Sequence, residues 1–408
     1  MSNQKTRQLS FAIAIAIAIA LAGAAGAAGA ADWHVDPKIT LNARSNDNHR
    51  LTDVPGEEVD VFGAELDAQL ELRAEAPRGY FRLIPRVRAT FFPDDEDEET
   101  DSQYLRMDME RRGERSQAGF EANYARLETL GRYFPGAGVD DDDDLGEPDP
   151  GDDISRQTDV NRRDQLDFGP RVAFDLTERM ALELDAAYQD VSYEEQVAGE
   201  RQDYSNIGGS VGMRFRTSPT RSITVRAGAF SYEPDGGTST DSQSLTAEWS
   251  NQVSETSEVF VRGGASRVES VDSLGDSDWN NGFTGGAGVR WSFEVTQIFL
   301  DANRYMDPNA SGRIVERDQL RFELRRELSP YTTLLFNARA IRDGKTDAND
   351  VFQDREYATA GVGFAWRMTQ KFTLGGGYQY RWREYDGDPN DATANEFFLG
   401  VTYEPNRR

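Results

Sequence analysis

Along most of the chain, apolar and polar residues take turns. Phe62, Ala64, Leu66, Ala68, Leu70 and Leu72 alternate with Glu65, Asp67, Gln69, Glu71 and Arg73. The next segment sets Phe81, Leu83, Pro85, Val87, Ala89 and Phe91 against Arg82, Arg86 and Arg88. The pattern returns with Met180, Leu182 and Leu184 around Glu183 and Asp185, and with Leu320, Phe322 and Leu324 around Arg321, Glu323 and Arg325. A period of two is that of the β-strand, so each segment predicts a strand with one apolar and one polar face.

The connections alternate as well. Tight turns fall at Ala76-Pro77-Arg78-Gly79, Gly113-Glu114-Arg115, Thr177-Glu178, Ser218-Pro219-Thr220, Ser254-Glu255-Thr256, Val295-Thr296, Ser329-Pro330 and Thr369-Gln370-Lys371. Between them come polar and mostly longer connections at 45–60, 93–101, 130–162, 196–202, 234–240, 272–280, 307–311, 344–351 and 386–391. A soluble sandwich also alternates. Charges on the polar faces, strand lengths near the ~10 residues of a tilted crossing, and short turns opposite long loops point instead to a transmembrane barrel. The expected fold is all-β: one antiparallel up-and-down barrel of 18 strands, or 16 if the first and last are miscounted, with short periplasmic turns and long extracellular loops. Phe91-Phe92, Tyr188, Trp249, Trp291, Trp366 and Trp382 sit where strands should meet the membrane interfaces.

The N-terminus adds a destination. Lys5 and Arg7 precede an apolar core from Phe11 to Leu21 and a small-residue stretch ending near Ala30. This is a secretory signal, too short for a bilayer span of about 20 residues. Residues 1–30 are therefore read as the signal and 31–408 as the barrel of a Gram-negative outer membrane, in contact with its lipid and lipopolysaccharide. Low mean hydropathy fits, because only alternate residues would face lipid.

Charge and composition then narrow the chemistry. A net charge of -27 excludes nucleic acid as a partner, since phosphates would be repelled. There is no cysteine, hence neither disulfide nor thiolate chemistry. The two histidines, His34 and His49, lie outside the expected strand core, which leaves little material for a Ser–His hydrolase on the barrel wall. No enzyme activity, cofactor or resident metal is expected, and the pattern leaves the oligomeric state open. The runs Asp94-Asp95-Glu96-Asp97-Glu98-Glu99 and Asp140–Asp144 could attract hard cations but lack the spacing of a calcium loop, and read as solvated surface. Gly286 and Gly288 read as packing room on a strand, because no helix follows them.

The segments "LGGGYQYRWREYDGDPNDATANEFFLGVTYEP" and "PKITLNARSNDN" resemble the β-barrel porin 2 family. That resemblance implies an outer-membrane barrel associated with exopolysaccharide or capsule systems, and brings no catalytic residues with it. The chain departs from the commonest outer-membrane ending, since Tyr403 is followed by Glu404-Pro405-Asn406-Arg407-Arg408. Phe397, Leu399, Val401 and Tyr403 read as the last lipid-facing row.

Any function should reside in the lumen. Projecting the alternation inward places Arg82, Arg86, Arg88, Arg214, Arg226, Arg262, Arg290, Arg321, Arg325, Arg339, Arg381 and Arg383 on its wall, accompanied by acids such as Glu65, Asp67, Glu183 and Asp301. Two readings stay open: a wall whose charges pair across neighbouring strands, or a guanidinium ladder for anions, whose planar fork suits carboxylate and phosphate. The leading functional expectation is a channel for exporting an anionic exopolysaccharide. The alternatives are a general or anion-preferring porin for small solutes, or a plugged structural or adhesive barrel, with 130–162 as the candidate plug. The acidic, Pro- and Gly-containing composition of 130–162 cannot bury enough apolar surface to order itself. Protease added to intact cells should cut there first; full resistance there with cutting at the tight turns would invert this topology.

Overall fold

The computed structural model describes residues 31–128, 161–194, 202–235, 239–271, 277–309, 313–345 and 353–406. The signal segment, the run at 140–144 and most of 130–162 lie outside them. The described chain forms eighteen strands: β1 Asp32–Asn46, β2 Val61–Ala76, β3 Gly79–Phe91, β4 Asp101–Arg112, β5 Ser116–Glu128, β6 Arg162–Thr177, β7 Met180–Tyr193, β8 Tyr204–Ser218 and β9 Arg221–Pro234 in the first half. The second half supplies β10 Ser239–Ser254, β11 Ser257–Val271, β12 Ser277–Ser292, β13 Thr296–Asn309, β14 Arg313–Ser329, β15 Thr332–Gly344, β16 Arg355–Arg367, β17 Phe372–Tyr385 and β18 Ala392–Tyr403.

Each strand runs antiparallel to the next, and β1 pairs with β18 from Ile39–Tyr403 to Asn46–Glu396. The sheet therefore closes into an 18-stranded up-and-down barrel. Leu41, Phe62, Ile207, Leu245 and Leu399 stand outward and exposed, while their neighbours Asn42, Glu65, Thr402 and Glu396 are buried inside. In water such an apolar exterior would be untenable; in lipid it is what a closed barrel requires. The protein is an outer-membrane β-barrel.

Some expectations need correction. The strands run from 12 to 17 residues rather than about ten, so they extend beyond the bilayer. β12 begins at Ser277, inside the segment expected to be a loop. His34 lies within β1 and is exposed, so it is not outside the strands. Phe91, Tyr188, Trp249 and Trp366 are exposed on the outer face as a girdle should be, but Phe92 is fully buried, edge-on to His49 with ring centroids 5.4 Å apart. The segment 93–101 also contains a 3-10 turn at Glu96–Glu98.

Two elements fold into the lumen. The β1–β2 loop docks on the inner face of β15–β18. Leu51 packs with Ile341, Tyr357, Ala392 and Ala394. Arg383 donates to the Leu51 carbonyl at 2.5 Å, and Arg50 pairs with the buried Glu98 of the β3–β4 connection. Leu51 adopts a φ of 52°, a left-handed conformation costing a non-glycine residue about 1–3 kcal/mol unless its surroundings hold it.

The second element is the upper β13–β14 hairpin. One face sets Met306 and Ile314 against Val191, Tyr193, Tyr204 and Tyr232, which point inward from β7–β9. On the other face Arg317, fully buried, reaches Asp343 of β15 at 2.7 Å and Asp307 at 2.5 Å. Asp343 also accepts from Arg355 of β16 at 2.9 Å. The hairpin thus spans the lumen between two walls, and Asp343 is the anion that ties it down. Replacing one partner of a buried pair costs about 3–5 kcal/mol. Asp343→Ala should lower the urea midpoint of vesicle-embedded barrel accordingly; an unchanged midpoint would mean the hairpin is not held there.

Candidate functional site

Eleven of the twelve lumen arginines expected from the alternation fall into two groups, separated by burial and by what they face. In the first group the guanidinium is consumed by structure. Arg86 forks onto Asp67 at 2.5 and 2.8 Å, and Arg88 reaches the same carboxylate at 3.5 Å. Arg82 and Arg106 share Asp108 at 3.1 and 3.0 Å. Arg86 and Arg88 also lie over the Tyr104 ring, 5.6 and 5.9 Å from its centroid. Arg339 donates to the Gln319 side-chain oxygen at 2.6 and 2.7 Å, and Arg381 and Arg383 donate to loop carbonyls of His49 and Leu51. The forked contact of Arg86 with Asp67, short and charge-assisted, is of the strong kind. Arg325 is half-buried on β14 near the periplasmic turn, opposite Gln297 and Leu335.

The second group lines open space. A cavity of about 810 Å³ runs along the inner face of β7–β14, and Arg214, Arg226, Arg262, Arg290 and Arg321 all border it. Their side chains are 35 to 58 % exposed, against 10 to 15 % for Arg82, Arg86 and Arg88. Their carboxylate contacts range from 3.0 to 3.6 Å, and Arg262 also donates to the Asn303 side-chain oxygen at 3.0 Å. Arg290 lies 3.5 Å from Glu258, Arg262 3.5 Å from Asp301, and Arg321 3.6 Å from Asp301. Glu183 is shared between Arg214 at 3.2 Å and Arg226 at 3.0 Å. The Nε atoms of Arg214, Arg226 and Arg321 have no hydrogen-bond partner among the described residues.

Between the arginines the wall presents small hydroxyls, among them Ser222, Thr224, Ser244, Thr246 and Ser250. Glycine makes the room. A Cβ on Gly288 would fall 2.3 Å from the Phe260 ring, and one on Gly286 would fall 2.2 Å from the Asn303 side chain, which confirms these two as packing positions. The described lining holds six arginines against the four carboxylates Glu183, Glu248, Glu258 and Asp301. The sixth, Arg304, went unforeseen because it occupies a position of lipid-facing parity; it binds Asp318 at 2.5 and 2.6 Å. The inward aromatics that seat the hairpin were also missed. Their signal was present in Val191, Tyr193, Tyr204 and Tyr232, apolar residues where the alternation calls for polar ones.

No family model matches the chain, and no curated protein does. The resemblance to the β-barrel porin 2 family therefore rests on its strand-and-turn patterns alone. Among solved structures, OccK2 (OpdF) of Pseudomonas aeruginosa in complex with glucuronate is similar over 91% of this chain and 98% of its own, at 11% identity and a TM-score of 0.47. A BenF-like porin from Pseudomonas fluorescens Pf-5 is similar over 91% and 99%, at 8% identity and 0.48. BauA, the ferric preacinetobactin receptor of Acinetobacter baumannii, is similar over 91% and 80%, at 10% identity and 0.48.

The two groups of arginine make opposite predictions. Replacing Arg82, Arg86 and Arg88 together with Gln takes both arginines from Asp67 and leaves Asp108 with Arg106 alone. The heat-modifiable gel transition should move to lower temperature while the reversal potential in a salt gradient stays near that of the parent. A shifted reversal potential with unchanged heat resistance would assign these three to the solute path instead.

Proposed function

We propose that this barrel is a non-enzymatic outer-membrane channel for small solutes, with a preference for anions. One observation carries the reading: in a chain of net charge -27, the described lining of the cavity has more guanidinium groups than carboxylates. A charged lining surrounded by low-dielectric wall focuses its own field, whereas distant acidic loops are screened over about 10 Å at 0.1 M salt. Basic linings select anions in pores, and the partly exposed guanidinium groups of Arg226, Arg262 and Arg290 keep donors facing the cavity for a passing carboxylate or phosphate.

A small solute is favoured over an exported polysaccharide by the two elements folded into the lumen. A polymer needs a continuous wide bore, and the hairpin seated on Tyr193 and Asp343 crosses the space it would occupy. Planar-bilayer recordings under a potassium chloride gradient test the proposal. The parent should show an anion-selective reversal potential. Replacing Arg226, Arg262 and Arg290 together with Gln should reduce the anion-to-cation permeability ratio about sevenfold, the change expected when the local potential falls by roughly kT per unit charge, which disfavours the anion and favours the cation alike. Cation selectivity in the parent, or a ratio indifferent to the triple replacement, would overturn it.

A further inference from the structure

Between β12 and β13 the barrel wall is registered over eight pairs, from Ser292–Gln297 up to Gly285–Arg304. Beyond that pair β12 continues in register with β11 as far as Ser277, and β13 continues with β14 as far as Asn309. The two strands are no longer registered with each other. The cause is the hairpin, whose upper part leaves the wall to seat Met306 and Ile314 inside the lumen. At about 3.3 Å per residue and a tilt of about 40°, eight pairs rise roughly 20 Å, less than the apolar band of about 25 Å. The strands therefore part within the outer leaflet. Trp279 stands above the gap, 40% exposed, with the Arg267 guanidinium 3.8 Å from its ring centroid, as an interfacial aromatic does.

The cavity reaches this gap. Gly263, Gly285 and Arg304 are neighbours in register across β11, β12 and β13. Their parity is that of the exposed Val261, Phe283 and Leu300, yet all three line the cavity. A Cβ on Gly263 would meet nothing within 4 Å. Just inside, the Ser266 and Thr284 hydroxyl oxygens are buried with no hydrogen-bond partner among the described residues, and Ser266 as a whole is only 4% exposed. Arg262 and Arg304 border the same space.

We infer that the separation of β12 from β13 is a lateral portal, and that it admits a single-chain amphiphile with an anionic head. The head enters the cavity between Arg262 and Arg304 and hydrogen-bonds to Ser266 and Thr284. The chain remains outside against Phe283, which is 60% exposed. Irregular backbone at membrane depth is tolerated only where it lines protein or a polar cavity, and a polar head seated there supplies the missing partners. The inference rests on the wall geometry and not on the anion-selective pathway.

Because the chain has no native cysteine, Thr284→Cys provides a unique reporter. The probe is dodecyl phosphate in phosphatidylcholine vesicles carrying the full barrel, and the readout is labelling of Cys by a water-soluble maleimide. At ten times its dissociation constant, dodecyl phosphate should slow labelling about tenfold. Butyl phosphate at the same aqueous concentration and dodecyl maltoside in the same vesicles should not. Adding Gly263→Trp, which fills the open space, should abolish protection. Equal protection by butyl phosphate would mean entry through the aqueous lumen, and equal protection by dodecyl maltoside would mean no recognition of the anion; either overturns the portal. So does absence of protection in the Thr284→Cys chain, a comparison that stands even if the tryptophan variant fails to fold. A parent channel without anion preference, in which dodecyl phosphate still protects, would remove the proposed solute pathway and leave the portal intact.

Discussion

Hydrocarbon offers no hydrogen bonds, so a sheet that crosses a membrane must pair its first strand with its last. In this chain that obligation falls on β1 and β18, and the inner face of their seam is reinforced by charge. Arg44 is buried between Glu65 of β2 and Glu396 of β18, and Asn42 and Asn46 complete the coordination of the two carboxylates at 3.2 and 3.1 Å. Thr40 and Thr402 add a hydroxyl contact at 2.9 Å lower on the same seam. With closure secured there, the wall five strands further round can give up regular pairing, and it does so where β13 and β14 turn inward.

The inward charges divide along the same line. Near the seam and under the docked loop they form short, buried pairs, and the lumen is filled. Along the cavity wall Arg214, Arg226, Arg262, Arg290 and Arg321 are a third or more exposed, and their carboxylate contacts run from 3.0 to 3.6 Å. Sequence cannot make this distinction: Arg317 and Arg321 are four residues apart on the same face of one strand. Yet Arg317 is fully buried between Asp307 and Asp343, while Arg321 borders open space.

What was legible followed from local periodicity. The row from Phe62 to Leu72 marked β2, the tight turn at Ala76–Gly79 marked its end, and the alternation of short and long connections gave the strand number. These signals lie within a few residues of one another, so no knowledge of the distant chain is needed to read them. The docked loop and the inward hairpin depend on contacts between remote segments, Leu51 with Ala394 and Ile314 with Val191, to which a period of two is blind. The gap above Gly285 was hidden for a related reason, since β12 stays paired with β11 through it and only its other neighbour departs.

The position of Arg44 also bears on how the barrel is assembled. Glu65 reaches it as soon as the first hairpin forms, whereas Glu396 is 352 residues away along the chain. Until β18 arrives, the guanidinium holds one carboxylate and faces a vacant strand edge. Because a shift of one residue would turn every side chain of β18 to the opposite face, only the register that sets Arg44 beside Glu396 both satisfies the charge and keeps Phe397, Leu399 and Val401 in lipid. The two ends of the polypeptide thus act as a proofreading pair, sealing the wall only for a chain that has been delivered whole and threaded in step.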